Sequence, residues 1–289
     1  MKLAFIILAH RNPEQLQLLT DKLTGAGADV FVHIDKKSGD LFDGFIRSNG
    51  NNQKLHIYSR YKIYWGSYNQ IKATFYLLRL ALAHSDFDFV RLLSGQDLPL
   101  RPVRDFAEFL SAHQKNSFIS YSRVPDQTGW AGRGGLDRVE LFWITGFPKW
   151  CAFFFNKFNA ALHLIQHKTG LRRKVPGNLY GGANWFTLNR EMANYVSEKL
   201  TSETGLLKRY RNTRCADEII LQTILLNSPF RDRVINSVLC FIDWQTGPEY
   251  PRTFTVDDLG RLTDSGEFFA RKFDAEKDNE VIKQVLRNA

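Results

Sequence analysis

A chain of 289 residues is long enough for one large domain or two small ones, and at 44% hydrophobic, 24% charged and 13% aromatic it is globular rather than disordered. Its 39 basic residues against 30 acidic ones leave a net charge of +9, which points to an anionic partner. With no zinc-finger spacing, heptad or RNP-type aromatic motif, nucleic acid is set aside, leaving a phosphorylated small molecule or a phospholipid surface.

Residues 2–9 form a continuous apolar run, the pattern of a strand covered on both faces. The run meets His10 and Arg11 too soon for a signal peptide and is too short to span a bilayer. Pro13 and Glu14 open a helix through about Leu23, with proline near its first turn. Strands are predicted at 29–34, ending in HIDKKS, at 54–58, and at 87–93, ending in SGQD; 67–83 reads as a long amphipathic helix. This alternation predicts right-handed βαβ units and a mostly parallel sheet flanked by helices, a single α/β domain. Neither GxGxxG nor GxxxxGK[ST] is present, so the ordinary dinucleotide and P-loop readings lose their fingerprints.

The second half is less regular. Residues 129–135 are a glycine-rich loop, 180–189 (YGGANWFTLN) a turn running into a strand, 191–200 and 217–227 helices, and 234–242 a strand leading to Asp243 and Trp244. The tail from Pro251 is polar. Cys151, Cys215 and Cys240 are widely spaced and include no CxxC, so neither a disulfide scaffold nor a structural zinc site is expected and a reducing compartment fits. Residues 148–174 combine Trp150, Phe153, Phe154, Phe155 and Phe158 with Lys149, Lys157, Lys168, Arg172, Arg173 and Lys174, which reads either as an interfacial helix on anionic lipid or as a packed helix with a basic end.

In open α/β sheets ligands bind beyond the carboxyl ends of the strands. Ala9-His10, His33-Ile34-Asp35 and the SGQD of residues 94–97 all fall there, so three loops are expected to share one crevice. Residues 215–225, CADEIILQTIL, pose a further question. Asp217 and Glu218 open a helix entering a core, either as acids favoured by the positive end of its dipole, with Glu218 near a capping-box position, or as the place of a catalytic base. Asp86-Phe87-Asp88 matches a DxD metal motif, but it precedes its strand and would face the wrong end of the sheet.

Taken together, YKIYWGSYNQIKATFYLLRLAL, DFDFVRLLSGQDLPLR, YGGANWFTLNRE, ADEIILQTIL, PRTFT and FFARKFD resemble, in that order and over roughly residues 1–275, the core-2/I-branching β-1,6-N-acetylglucosaminyltransferase and peptide O-xylosyltransferase family, glycosyltransferase family 14. The resemblance implies a GT-A-like, Rossmann-type fold with a nucleotide-sugar half over 1–125 and an acceptor and catalytic half over 126–289. It also implies inverting transfer of GlcNAc or xylose from a UDP-sugar to a glycan or lipid-linked glycan hydroxyl, with no metal and no other cofactor. On this resemblance Glu218 is the general base. Arg252, Arg271 and Lys272 hold the diphosphate. Ala9, Asp35, Lys37, Tyr64 and Asp97 line the rest of the donor site, and Arg138, Glu140, Trp185 and Trp244 face the acceptor. The animal relatives carry a membrane anchor and paired cysteines, and this chain shows neither. The expectation is therefore a cytoplasmic enzyme, either soluble or peripheral at the inner face of the membrane. Two other readings stay open: a non-catalytic glycan- or lipid-binding module, and a metal-dependent DxD transferase.

Overall fold

The computed structural model describes residues 1–125, 129–175, 177–202, 205–246 and 250–289. Among them a seven-stranded sheet is built from β1 (Leu3–Ala9), β2 (Asp29–Ile34), β3 (Leu55–Tyr58), β4 (Phe89–Ser94), β6 (Ser117–Ile119), β9 (Phe186–Asn189) and β10 (Val234–Asn236), in the order β10-β6-β9-β4-β1-β2-β3. Every pairing is parallel except those of β9, which runs against both β4 and β6. A three-stranded sheet orders β11 (Cys240–Ile242), β12 (Phe269–Arg271) and β5 (Asp97–Pro99), and β7 (Ser122–Val124) pairs with β8 (Leu179–Gly181).

The unbroken apolar run of β1 has the expected consequence. Phe5, Ile7 and Ala9 enter the core beneath helix Pro13–Gly25, while Ala4 and Ile6 enter the opposite core beneath helix Tyr68–His84. Strand periodicity of two divides one hydrophobic segment between two helical layers.

Three local departures from the sequence reading have identifiable causes. The strand expected over 234–242 is two strands in different sheets, broken where Leu239 takes a φ of 51°. The helix expected over 217–227 begins at Ile220. Ala216–Glu218 is a separate 3₁₀ turn, and Ile219 (φ −129°) breaks the helical path between them. Glu218 therefore lies outside the helix, and no capping box forms at Cys215. The tail is not merely a polar extension. It supplies β12 and the helix Asn279–Asn288, whose N-cap Asp278 accepts from Glu280 N and Val281 N and whose Val281, Ile282, Val285 and Leu286 are buried. That packing anchors the basic C-terminal segment to the sheet.

Candidate active site

The carboxyl ends of β1, β2 and β4 are tied to one another. Asp35 N donates to Ala9 O at 2.8 Å, Gly95 N to Leu8 O at 3.0 Å, and Ser38 Oγ to His10 O at 2.9 Å. The three loops expected to share a crevice do meet. Asp35 is buried; its Oδ1 accepts from Lys37 N at 2.9 Å and Ile63 N at 3.1 Å, and Oδ2 lies 3.2 Å from Lys37 Nζ. Lys37 Nζ sits 4.3 Å from the centre of the Tyr64 ring, so these three side chains form one wall.

The small sheet supplies the opposite wall. Its antiparallel register sets Arg271 against Asp97. The fully buried Asp97 carboxylate accepts from Ser94 N at 2.9 Å and Ser94 Oγ at 2.8 Å, and Arg271 Nη1 reaches it at 3.2 Å. The Arg271 guanidinium also lies 4.1 Å from the Trp185 ring centre. The PRTFT and ARKFD blocks are adjacent strands of chain: Phe254 N donates to Lys272 O and Lys272 N to Arg252 O. Arg252 is steadied by Asp258 at 3.0 Å. Burial lowers the pKa of Lys272, as do the nearby Arg271, Arg11, Lys277 and Lys149. Arg11, Arg252 and Arg271 are each paired with a carboxylate, Asp274, Asp258 and Asp97, and an anion bound beside Lys272 would favour its charged form. Arg11, Lys149 and Lys277 are not assigned to the donor site from sequence, because they come from three distant segments and sit in no shared motif.

On the far side, Glu218 is fixed by its turn. Cys215 N donates to Gly66 O, Glu218 N to Cys215 O, and Gly182 N to Glu218 O. Gly66 (φ +64°) approaches so closely that a side-chain carbon there would stand 2.9 Å from Cys215 Sγ. The Glu218 carboxylate is about a third exposed, and its Oε2 accepts from Arg138 Nη1 at 2.6 Å. Arg138 in turn stacks on Trp130, 3.8 Å from the ring centre, and Trp130 packs on Gly181, where any side chain would collide with the ring. Arg138, placed among acceptor residues from sequence, is thus the direct partner of Glu218. Glu140 is engaged by Arg133 and Arg172. Trp244 is exposed on a loop joined to the PRTFT segment by Arg252 N donating to Asp243 O at 2.9 Å.

Asp217 points the other way. Its Oδ2 accepts from Gln70 Nε2 at 2.6 Å and Asn184 Nδ2 at 3.3 Å, while Oδ1 is enclosed without a partner. Burial, with Glu218 beside it, pushes its pKa up to about 7. Between the ordinary carboxylate value and that raised one, the folded chain keeps a proton the unfolded chain has released, so Asp217 makes stability fall as pH rises across that window. Asp217→Asn removes this dependence. In thermal melts the variant is expected to gain on the parent between about pH 4 and about pH 7; a Tm difference constant with pH would refute the assignment.

The loop 182–185 connects the two walls. It begins with Gly182 on the Glu218 carbonyl, passes Asn184 on Asp217, and ends with Trp185 against Arg271. Asp86 and Asp88 lie at the other end of β4, where Asp88 accepts from Lys2 N at 2.7 Å and Asp86 faces Lys2 and Arg190.

A family model described as Core-2/I-Branching enzyme matches residues 3–263. Among curated relatives, xylosyltransferase 1 of Homo sapiens is 25% identical over 308 residues, covering 99% of this chain and 30% of the relative. Xylosyltransferase sqv-6 of Caenorhabditis briggsae is 22% identical over 312 residues, covering 99% of this chain and 36% of the relative. The chain thus spans about a third of the length of these relatives. Among solved structures, HddC from Yersinia pseudotuberculosis aligns with a TM-score of 0.32 at 13% identity, over 66% of this chain and 78% of that one.

Proposed function

The chain belongs to the Core-2/I-branching enzyme family, and from that membership and the site geometry we propose that it is an inverting glycosyltransferase, moving GlcNAc or xylose from a UDP-sugar to a hydroxyl of a glycan or lipid-linked acceptor. The observation that carries the reading is the short loop 182–185, which links a fixed, partly exposed carboxylate, Glu218, to a cation cluster at the carboxyl edge of a mostly parallel sheet.

Each group then has a task. Glu218 takes the proton of the acceptor hydroxyl as that oxygen attacks the anomeric carbon from the face opposite the departing diphosphate, so the configuration inverts. Arg138 holds the carboxylate in place through Oε2, leaving Oε1 to meet the hydroxyl. As the bond from the sugar to the β-phosphate breaks, negative charge grows on the leaving oxygen, and Arg252, Arg271 and Lys272 stabilise it. The carboxylate at the SGQD position, Asp97, already contacts a guanidinium, which supports diphosphate neutralisation by side chains rather than by a metal ion. Asp35, Lys37 and Tyr64 form the nucleoside wall, and Trp185 and Trp244 offer flat faces to sugars. The GT-A-like assignment is part of the same proposal.

Titration calorimetry with UDP in EDTA, repeated with manganese, tests it. Binding is expected in EDTA, weakened roughly 10–100-fold in Arg252→Ala or Lys272→Ala, as loss of one charge-assisted hydrogen bond implies. Binding only with manganese would overturn the metal-independent scheme, and no binding in either condition would favour a non-catalytic glycan-binding module.

A further inference from the structure

The helix Ala152–Thr169 buries two amides and leaves most of its large apolar side chains exposed. The side turned to the protein carries buried amides. Asn159 pairs with the backbone of Ile144, accepting its N–H at 2.9 Å and donating to its carbonyl at 3.0 Å, and Gln166 does the same with Phe142 at 2.8 and 3.3 Å. These two rungs, one heptad apart on the helix and two residues apart on the chain beneath, pin the helix with hydrogen bonds, beside the stacked Phe147 and Phe155 rings and the Trp143–His163 contact.

Apart from Phe155 and Leu162, which are half-buried, the large apolar residues of the helix face outward. Positions 154, 158, 161 and 165 recur at i, i+4, i+7 and i+11, a single helical stripe, and they are Phe154, Phe158, Ala161 and Ile165. Phe153 is 72% exposed and Phe154 64%, and Trp150, in the turn leading into the helix, is 86% exposed. Water is a poor solvent for such a row, and a continuous exposed apolar patch marks a contact surface.

Charge identifies the occupant. Lys149, Lys157, Lys168 and Lys174 are exposed around the stripe, and among the described residues no carboxylate is salt-bridged to any of them. From 141 to 190 the sequence contains no aspartate or glutamate at all. A second copy of a +9 chain would bring like charges together across this face. An anionic bilayer instead accepts both features: aromatic and aliphatic side chains sink into the headgroup boundary while lysines stay at the surface. We propose that the outward face of this helix, with the turn holding Trp150, seats the protein on an anionic lipid surface. Spanning is not involved, since among the described residues no helix is long and apolar enough to cross a membrane.

The placement has a consequence for the candidate site. Lys149, at the start of this surface, is close enough to Lys272 and His10 to influence both. A seated protein would hold the mouth of the cation cluster beside the membrane plane. The docking inference itself stands whether or not the chain transfers a sugar.

Flotation of the whole chain with vesicles provides the test. Co-flotation is expected with phosphatidylglycerol–phosphatidylcholine vesicles at low salt, falling as salt screens the surface, and much less with phosphatidylcholine alone. Phe154→Ser with Phe158→Ser is expected to weaken binding by roughly tenfold or more per ring, with Tm and UDP affinity little changed because neither ring is buried and neither belongs to the candidate donor site. Lys157→Glu with Lys168→Glu is expected to weaken it by roughly fivefold or more per lysine and to flatten the salt dependence. Failure to float with anionic vesicles at low salt would overturn the proposal. So would flotation indifferent to both pairs of substitutions, or a wild-type dimer that separates on the phenylalanine substitutions, which would show a second copy covering the face.

Discussion

Glu218→Gln is expected to lower sugar transfer by about 10²–10⁴-fold, the usual contribution of a general base, while UDP binds as tightly as before. The geometry makes the substitution clean. An amide oxygen still accepts the hydrogen bond that Arg138 makes to Oε2 at 2.6 Å, so the turn and the guanidinium keep their places. The side chain is partly exposed, and its backbone contacts with Gly182 and Cys215 are untouched. Only the capacity to take a proton is lost. Transfer is read as UDP release with acceptor present, and affinity by calorimetry. Turnover within tenfold of the parent would remove Glu218 from the role; lost affinity would mean that the substitution disturbed the donor site instead. Arg138→Ala gives a contrasting result, since it leaves the carboxylate able to take a proton but no longer positioned. A smaller fall in kcat is expected there, with UDP affinity again unchanged.

How far the sequence alone carries the argument differs from one segment to the next. β1, β2 and β4 and the helices beside them follow from hydrophobic period, because each is buried by its immediate neighbours in a βαβ order. The turn at Glu218 does not follow from period. Apolar spacing continues smoothly from Ile219 to Leu225, yet the helix starts at Ile220, because Cys215 is held in a left-handed conformation against Gly66, some 150 residues away in sequence. The strand expected over 234–242 divides for a similar reason: Arg91, buried in β4, draws the carbonyls of Val238 and Leu239 onto its guanidinium at 3.2 and 3.1 Å. The composition of residues 148–174 is plain in sequence, but which side of the helix faces the protein is decided by Asn159 and Gln166 meeting a backbone segment that no helical pattern foretells. Among the candidate site residues, Glu218, Asp97, Arg252, Arg271 and Lys272 are picked out by the motif blocks. Arg138 was assigned to the acceptor, and only three-dimensional packing reveals it as the partner of Glu218.

On the proposed function, Arg271 couples donor binding to stability, and the two can be separated. Arg271→Ala should weaken UDP binding roughly 10–100-fold by removing a charge-assisted contact to the diphosphate. It also leaves the Asp97 carboxylate, fully buried, without its cation. Breaking a buried ion pair from one side typically costs about 3–5 kcal/mol. Asp97 keeps its hydrogen bonds from Ser94 N and Oγ, so a loss near the lower end, about 3 kcal/mol, is expected from denaturant melts. In Arg271→Ala with Asp97→Asn the buried charge is gone, so most of that stability should return. The diphosphate contact is still missing, so UDP affinity should not. A double variant that recovers both would show that Arg271 acts only by holding Asp97 and the β5–β12 pairing. One that recovers neither would show that the pair fixes the strand register on which the whole cation cluster is mounted. Recovery of stability alone is the result that makes Arg271 a ligand of the donor, because a purely structural arginine has no reason to leave affinity behind when the fold is restored.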